Sequence, residues 1–364
     1  MGFKSGIIGL PNVGKSTLFN AITAAAAKVA NYPFTTIDPQ VGMVAVPDTR
    51  LDDLSKIFAS PKVIPTTLEF VDIAGLVKHA SKGEGLGNQF LAHIREVDAI
   101  GHVVRCFQNE DVAHIEADLD PKRDVEIIET ELLLKDFETV EKKRNETEKK
   151  AKSGEKRIKH EVEFYTRLAG HISQGKTARS FRVHDEEQEW FAQLCLLTIK
   201  PVMFIANVDE EGLLGENVYI RALREVAQAR DAKMIILDAA MEAEISPMPY
   251  QEREDFLKDL GVAESGLDKV IHEGYILLNL ITFFTHNEKE LRAWTITRGT
   301  KAPQAAGKIH SDFEHGFIRA EVIKYTDLVR SGSEYIMREK GQFAVHGHDY
   351  EVQDGDVIFF RFNV

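Results

Sequence analysis

Residues 9–17, Gly-Leu-Pro-Asn-Val-Gly-Lys-Ser-Thr, carry the Gly-x4-Gly-Lys-Ser spacing that cradles the phosphates of a nucleotide. Glycines at this spacing let backbone N–H groups turn inward around phosphate oxygens, and a following helix adds the positive end of its dipole. Asn12, Val13, Gly14 and Thr17 are therefore read as part of the cradle. Lys15 is placed to reach the outer phosphates, and the Ser16 hydroxyl to coordinate Mg²⁺. The required context is present. An apolar run at 6–8 reads as a strand, and Leu18, Phe19 and Ile22 fall on one face of a helix.

The loop alone leaves kinases, transporter ATPases and switch NTPases open, and three further pieces narrow the choice. Asp72-x-x-Gly75 ends a predicted strand. Its carboxylate suits Mg²⁺, reached through water, and its glycine N–H suits the γ-phosphate, a catalytic contact. Thr36, in a loop punctuated by Pro33 and Pro39, can close over the metal when that phosphate is present. Asn207, at the end of a later strand, sits where a switch NTPase reads its base, with Val208 lining the base beside it. In this order the pieces describe loops that order on a triphosphate and release after hydrolysis. No acceptor site or lid for a small-molecule kinase accompanies them.

Two departures from a guanine-specific switch follow from side-chain chemistry. The guanine motif is Asn-Lys-x-Asp, whereas this chain has Val208 at the lysine position and Glu210 at the aspartate position. An asparagine can pair with the N6/N7 edge of adenine, so ATP is the expected nucleotide. GTP stays open as the alternative, because one extra methylene is tolerated within about 1–3 kcal/mol. Leu76 stands where many GTPases orient the attacking water with glutamine, so intrinsic hydrolysis should be slow. His79, His93, His102 and His114 are candidate replacements, as is a residue from an activating protein partner. His114, in a polar segment, is the one assigned here as catalytic; a solvent-exposed loop histidine is the alternative reading.

The elements that must position these residues follow from alternation. Strands expected at 41–46, 67–71, 100–107, 201–206 and 234–237 are separated by helical patterns. That predicts an α/β fold with a doubly wound, mostly parallel sheet. The pattern breaks at Asp124, where apolar positions 127, 128, 132, 134, 137 and 140 continue as one long helix. We therefore place an inserted helical hairpin at 124–197, within a discontinuous nucleotide domain at 1–123 and 198–280. Its tip, 141–160, holds nine lysines and arginines against four glutamates. Such a run is either a solvated helix face or a site of phosphate-backbone attraction. From 281 to 364 short strands separated by turns predict a small β-rich domain.

With 364 residues, 43% apolar and 28% charged, the chain has the composition of an ordinary globular protein of two or three domains. A formal charge of −13 argues against a general nucleic-acid coat while leaving local basic patches open. Only two cysteines occur, Cys106 and Cys195, both in apolar contexts that predict buried, reduced thiols. No run approaches transmembrane length and the N-terminus lacks a signal core, so a cytoplasmic protein without membrane contact is expected.

Over essentially its whole length the sequence resembles the Obg-like ATPase family, the YchF branch of P-loop proteins related to translation factors. The residues that carry the resemblance are the loop at 9–17, Pro33-Phe-Thr-Thr-Ile-Asp-Pro39, Asp72-Ile-Ala-Gly-Leu76, the glycine-rich run at 83–90 and Asn207-Val-Asp-Glu210. The stretch at 308–322 is similar to a TGS domain, a ubiquitin-like β-grasp module shared with threonyl-tRNA synthetases. The resemblance implies the same preference for ATP and makes RNA or the ribosome the expected partner; with Leu76 the reading is a slowly hydrolysing ATPase switch, and an RNA- or ribosome-binding adaptor regulated by its nucleotide is the rival.

Overall fold

The computed structural model describes residues 3–27, 40–73, 86–108, 118–151 and 155–363. Along the first half the elements are β1 (Lys4–Ile8), α1 (Lys15–Ala27), β2 (Val41–Ala45), α2 (Arg50–Phe58), β3 (Val63–Ile64), β4 (Thr67–Asp72), α3 (Leu86–Glu96) and β5 (Ala99–Arg105). Two long helices follow, α4 (Pro121–Ala151) and α5 (Lys156–Ser173), then α6 (Gln188–Gln193). The chain continues with β6 (Val202–Asn207), α7 (Glu210–Leu214), α8 (Val218–Ala229), β7 (Lys233–Leu237), α9 (Ala239–Ile245), α10 (Tyr250–Asp259) and α11 (Gly266–Leu277). Last come β8 (Leu280–His286), β9 (Leu291–Thr297), α12 (Ala302–Gly307), α13 (Ser311–His315), β10 (Phe317–Lys324), α14 (Tyr325–Ser331), α15 (Glu334–Glu339), β11 (Ala344–His346) and β12 (Asp356–Phe362).

The chain divides into two compact units, residues 1–42 with 69–270 and residues 43–68 with 271–364. The first is built on a sheet of order β2-β4-β1-β5-β6-β7. From β4 to β7 neighbouring strands are parallel. The edge strand β2 runs the other way, since Asp72 N–H bonds the Gln40 carbonyl and Val46 N–H bonds the Thr66 carbonyl, each at 2.9 Å. Right-handed crossovers set α1 on one face and α3, α4 and α8 on the other. On that second face Val104, Phe204 and Ala206 meet Val125 of α4 and Ile220, Leu223 and Val226 of α8 in one buried cluster.

The insert is more than the two-helix hairpin read from the sequence. Helix α4 starts three residues before Asp124, and its 31 residues span about 46 Å. Phe164, Tyr165, Leu168, Ala169 and Ile172 form the buried stripe of α5. They pack against Val140 of α4 and against Trp190 and Phe191 of α6, a third layer whose six residues are too few to give a legible helical stripe. Asp136, 1% exposed, closes the exit of the insert. Its carboxylate accepts the Leu197 N–H at 2.7 Å, the Thr198 N–H at 2.8 Å and the Thr198 hydroxyl at 2.7 Å.

The second unit holds a sheet of order β11-β10-β12-β8-β9-β3. Antiparallel β8 and β9 flank a parallel β8–β12 pairing, and antiparallel β10 follows on the other side. Helix α12 lies on one face, with Ala302, Ala305 and Ala306 against Phe283, Ile296, Val322 and Ile358, in a β-grasp arrangement. The opposite face departs from the linear division into domains. Leu51 and Leu54 of α2 pack against Phe284, Leu291, Ile323 and Val357, and β3 pairs with β9. Residues 43–68 therefore belong to this unit, because an amphipathic helix must bury its apolar stripe where a matching face exists. Four helices, α12–α15, stand among what the sequence read as strands and turns.

Candidate functional site

In open α/β sheets ligands gather outside the carboxyl ends of the strands. Here β1 hands over to the phosphate loop, β4 ends on Asp72, β6 on Asn207, and β7 is followed by Asp238. The loop depends on its glycines. Gly14 has φ +91°, and a Cβ there would stand 2.1 Å from Asn207 Nδ2; at Gly9 one would stand 2.7 Å from the Val103 carbonyl oxygen. Asn12 takes a left-handed conformation at φ 63°, which asparagine tolerates better than most residues. Helix α1 opens at Lys15, and its first-turn Ser16 is exposed.

Lys15, 9% exposed, meets the Asp72 carboxylate directly across 57 residues of sequence. The residue assigned to phosphate and the residue assigned to the metal thus converge on one point. Ser16 and Asp72 supply one hydroxyl and one carboxylate. That donor set fits Mg²⁺, which keeps waters and completes its shell from phosphate oxygens. Thr17 is half-buried, and Val13 is 1% exposed, so the site uses its backbone rather than its side chain.

Asn207 is 4% exposed and bonded at both ends of its amide. Nδ2 donates to the Val13 carbonyl and Oδ1 accepts the Ala239 N–H, each at 2.9 Å. One side chain thus braces the phosphate loop to the segment after β7; among the described residues its second N–H and second lone pair take no further partner. Ala239 and its neighbour Asp238, whose carboxylate caps α9 through the Ala240 and Met241 N–H groups, carry no sequence motif. The one signal for them was that a buried amide at the end of β6 needs a partner at the adjacent strand end.

Val208 corrects an expectation. Its side chain is 2% exposed and belongs to the core with Val104, Cys106, Ile220 and Leu223, so it does not line a base. Odd–even alternation carried past the strand end sends it inward. Glu210, on the first turn of α7, is exposed. His102 is also removed from the catalytic candidates. It is 4% exposed in the middle of β5, and burial, with Arg230 adding to it, lowers its pKa to about 3, keeping the imidazole neutral. Cys106 is buried and its thiol pushed up to about 12 by desolvation, but Cys195 is exposed, on a left-handed turn after α6. Thr36, Gly75, Leu76, His79 and His114 lie outside the described residues. At the end of β5, Arg105 is 3% exposed and donates Nε–H to the Phe107 carbonyl at 3.1 Å. Desolvation lowers its pKa, opposed by Asp124 at the root of α4.

A curated relative from Haemophilus influenzae, named Ribosome-binding ATPase YchF, is 50% identical over 364 residues, covering all of both chains. The chain belongs to the YchF family. A Bacillus subtilis YchF of the same description is likewise 50% identical, over 366 aligned residues and all of both chains. The solved structure of the Schizosaccharomyces pombe YchF GTPase is 39% identical. It superposes with a TM-score of 0.89, covering 99% of this chain and 98% of that one. A model described as a 50S ribosome-binding GTPase matches residues 4–163, and the YchF GTPase C-terminal model, described as a protein of unknown function, matches 280–363. The P-loop fold and the β-grasp unit are those of the family. No helix among the described residues is long and apolar enough to cross a membrane.

Proposed function

We propose that this YchF chain is a Mg²⁺-dependent ATP-binding switch that hydrolyses slowly and works with the ribosome in the cytoplasm. The observation that carries the reading is the Asn207 brace, which makes the base side and the phosphate loop one mechanical unit. The curated relatives named Ribosome-binding ATPase support the nucleotide and the partner. The inward Val208 suits ATP rather than GTP: no lysine stem covers the base from this position, and the Asn207 N–H and lone pair unused among the described residues suit the adenine N6/N7 edge.

In this reading Lys15 and the loop amides neutralise the outer phosphates, while Ser16, Thr36 and Asp72 hold Mg²⁺ directly or through water. When bound, the ion supplies Lewis-acid polarisation of the phosphate oxygens. Gly75 senses the γ-phosphate. Leu76 withholds the water-orienting amide, leaving His114 or a partner residue to replace it.

GTP is the second reading, favoured by the descriptions of the Schizosaccharomyces pombe structure and of the N-terminal family model. An adaptor with little turnover is the third. Equilibrium competition of ATP against GTP, with and without ribosomes, tests all three. ATP should displace GTP, and turnover should be slow without ribosomes. Clearly tighter GTP binding sinks the ATP reading, and nucleotide-dependent ribosome association without hydrolysis favours the adaptor.

A further inference from the structure

On the sheet face of the second unit, Arg319 of β10 stands directly opposite Arg361 of β12. Like charges in register across two strands are destabilising. The arrangement is held by Glu321, whose carboxyl is 6% exposed. Arg361 binds it as a fork, Nε to Oε1 and NH2 to Oε2, both at 3.0 Å. Arg319 NH2 reaches Oε1 and Arg338 NH1 reaches Oε2, each at 3.3 Å. The three guanidiniums hold the Glu321 pKa down near 2, against the opposing effect of burial. Arg338 is also paired with Glu334 and stacked 4.6 Å from the centre of the Phe359 ring, which fastens α15 to the sheet.

Four donors saturate one carboxylate, and the Arg361 fork with Arg338 already joins sheet and helix. Arg319 adds one long bond, at 3.3 Å, at the cost of a like charge opposite Arg361. The cluster sets three guanidiniums against two carboxylates, and the Arg319 and Arg361 side chains remain 52% and 54% exposed. Beyond the bonds to Glu321, each guanidinium has further N–H groups to offer a ligand, in a chain of net charge −13. We propose that the Arg319–Arg361 pair is a docking site for the phosphate backbone of RNA, pre-set by Glu321 beneath it. Planar forks match phosphate geometry, and holding them in place beforehand lowers the ordering cost of binding. The choice of RNA rests on the ribosome reading above; the charge complementarity does not.

The test is co-sedimentation of the full chain with ribosomes, and binding to protein-free ribosomal RNA, across a salt series with ATP present. Each phosphate contact contributes about 0.7–0.9 to the slope of log affinity on log salt. R319Q/R361Q should lower that slope by about 1.5, shrinking the affinity loss between ~50 and ~200 mM salt by roughly tenfold. R319Q alone, which leaves Glu321 with Arg361 and Arg338, should lower it by about 0.8 and guards against a double variant that fails to fold. Unchanged slopes overturn the proposal. A deficit seen on ribosomes but absent on naked RNA also overturns it, identifying protein carboxylates as the partner. Wild-type chain that ignores ribosomes refutes the ribosome reading separately, and the naked-RNA comparison still decides the arginine pair.

Discussion

Replacing Asn207 separates its bracing role from base reading. In Asn207→Ala the Val13 carbonyl and the Ala239 N–H lose their partners inside a region where Asn207 itself is only 4% exposed. Leaving one buried polar group unsatisfied costs about 1–3 kcal/mol, so two cost roughly 2–4 kcal/mol after partial relaxation. That is a large share of a typical domain stability of about 5–15 kcal/mol. At about 2–4 °C per kcal/mol, the first unit should melt roughly 5–12 °C lower, measured by differential scanning fluorimetry without nucleotide. Asn207→Asp should be worse than Ala. It keeps an acceptor for Ala239 but turns a carboxylate oxygen toward the Val13 carbonyl, 2.9 Å from the present donor. Nucleotide affinity should fall in both. A variant that melts within about 1 °C of wild type while losing more than tenfold in affinity would refute the brace and return Asn207 to base recognition alone.

Gly14→Ala should abolish nucleotide binding, measured with a fluorescent ATP analogue, since the new methyl would stand 2.1 Å from Asn207 Nδ2 at φ +91°. His102 gives a pH signature. Its pKa falls from 6.5 to about 3 on folding, so its contribution to stability is complete above pH 6.5 and is lost progressively as pH falls toward 3. By pH 4 the loss is of order 3 kcal/mol. Chemical denaturation of His102→Phe at pH 7 and pH 5 should show a correspondingly shallower dependence than wild type. A thiol reagent should titrate one cysteine in the native chain, the exposed Cys195, and reach buried Cys106 only on unfolding.

The phosphate loop, the strand ending on Asp72 and the β-rich C-terminal segment were legible because their chemistry is local. A glycine spacing or a two-residue alternation can be read within about ten positions. The segment after β7 that receives Asn207, the third layer of the insert and the Glu321 cluster were not, since each is made by residues that meet only after folding. Val208 failed for a related reason. Its position in a motif indicated a ligand, but the side-chain alternation of β6 carries on for one more residue and sends it into the core. Helix α2 was recognised as amphipathic, yet amphipathicity says only that a partner exists. Which sheet supplies it depends on the whole topology.

That assignment of α2 has a consequence for synthesis. Leu51 and Leu54 leave the ribosome early, whereas Phe284, Leu291, Ile323 and Val357, the residues they pack against, lie more than 200 positions later. At about 5–20 residues per second, the apolar stripe of α2 waits on the order of 10–50 s for its sheet. A fragment ending before residue 280 leaves that stripe uncovered for good, and one beginning at 280 lacks both α2 and the β3 edge strand. The second unit is complete only when the chain has come back to it, so truncation tolerance and the risk of early misassembly are set by the order of translation.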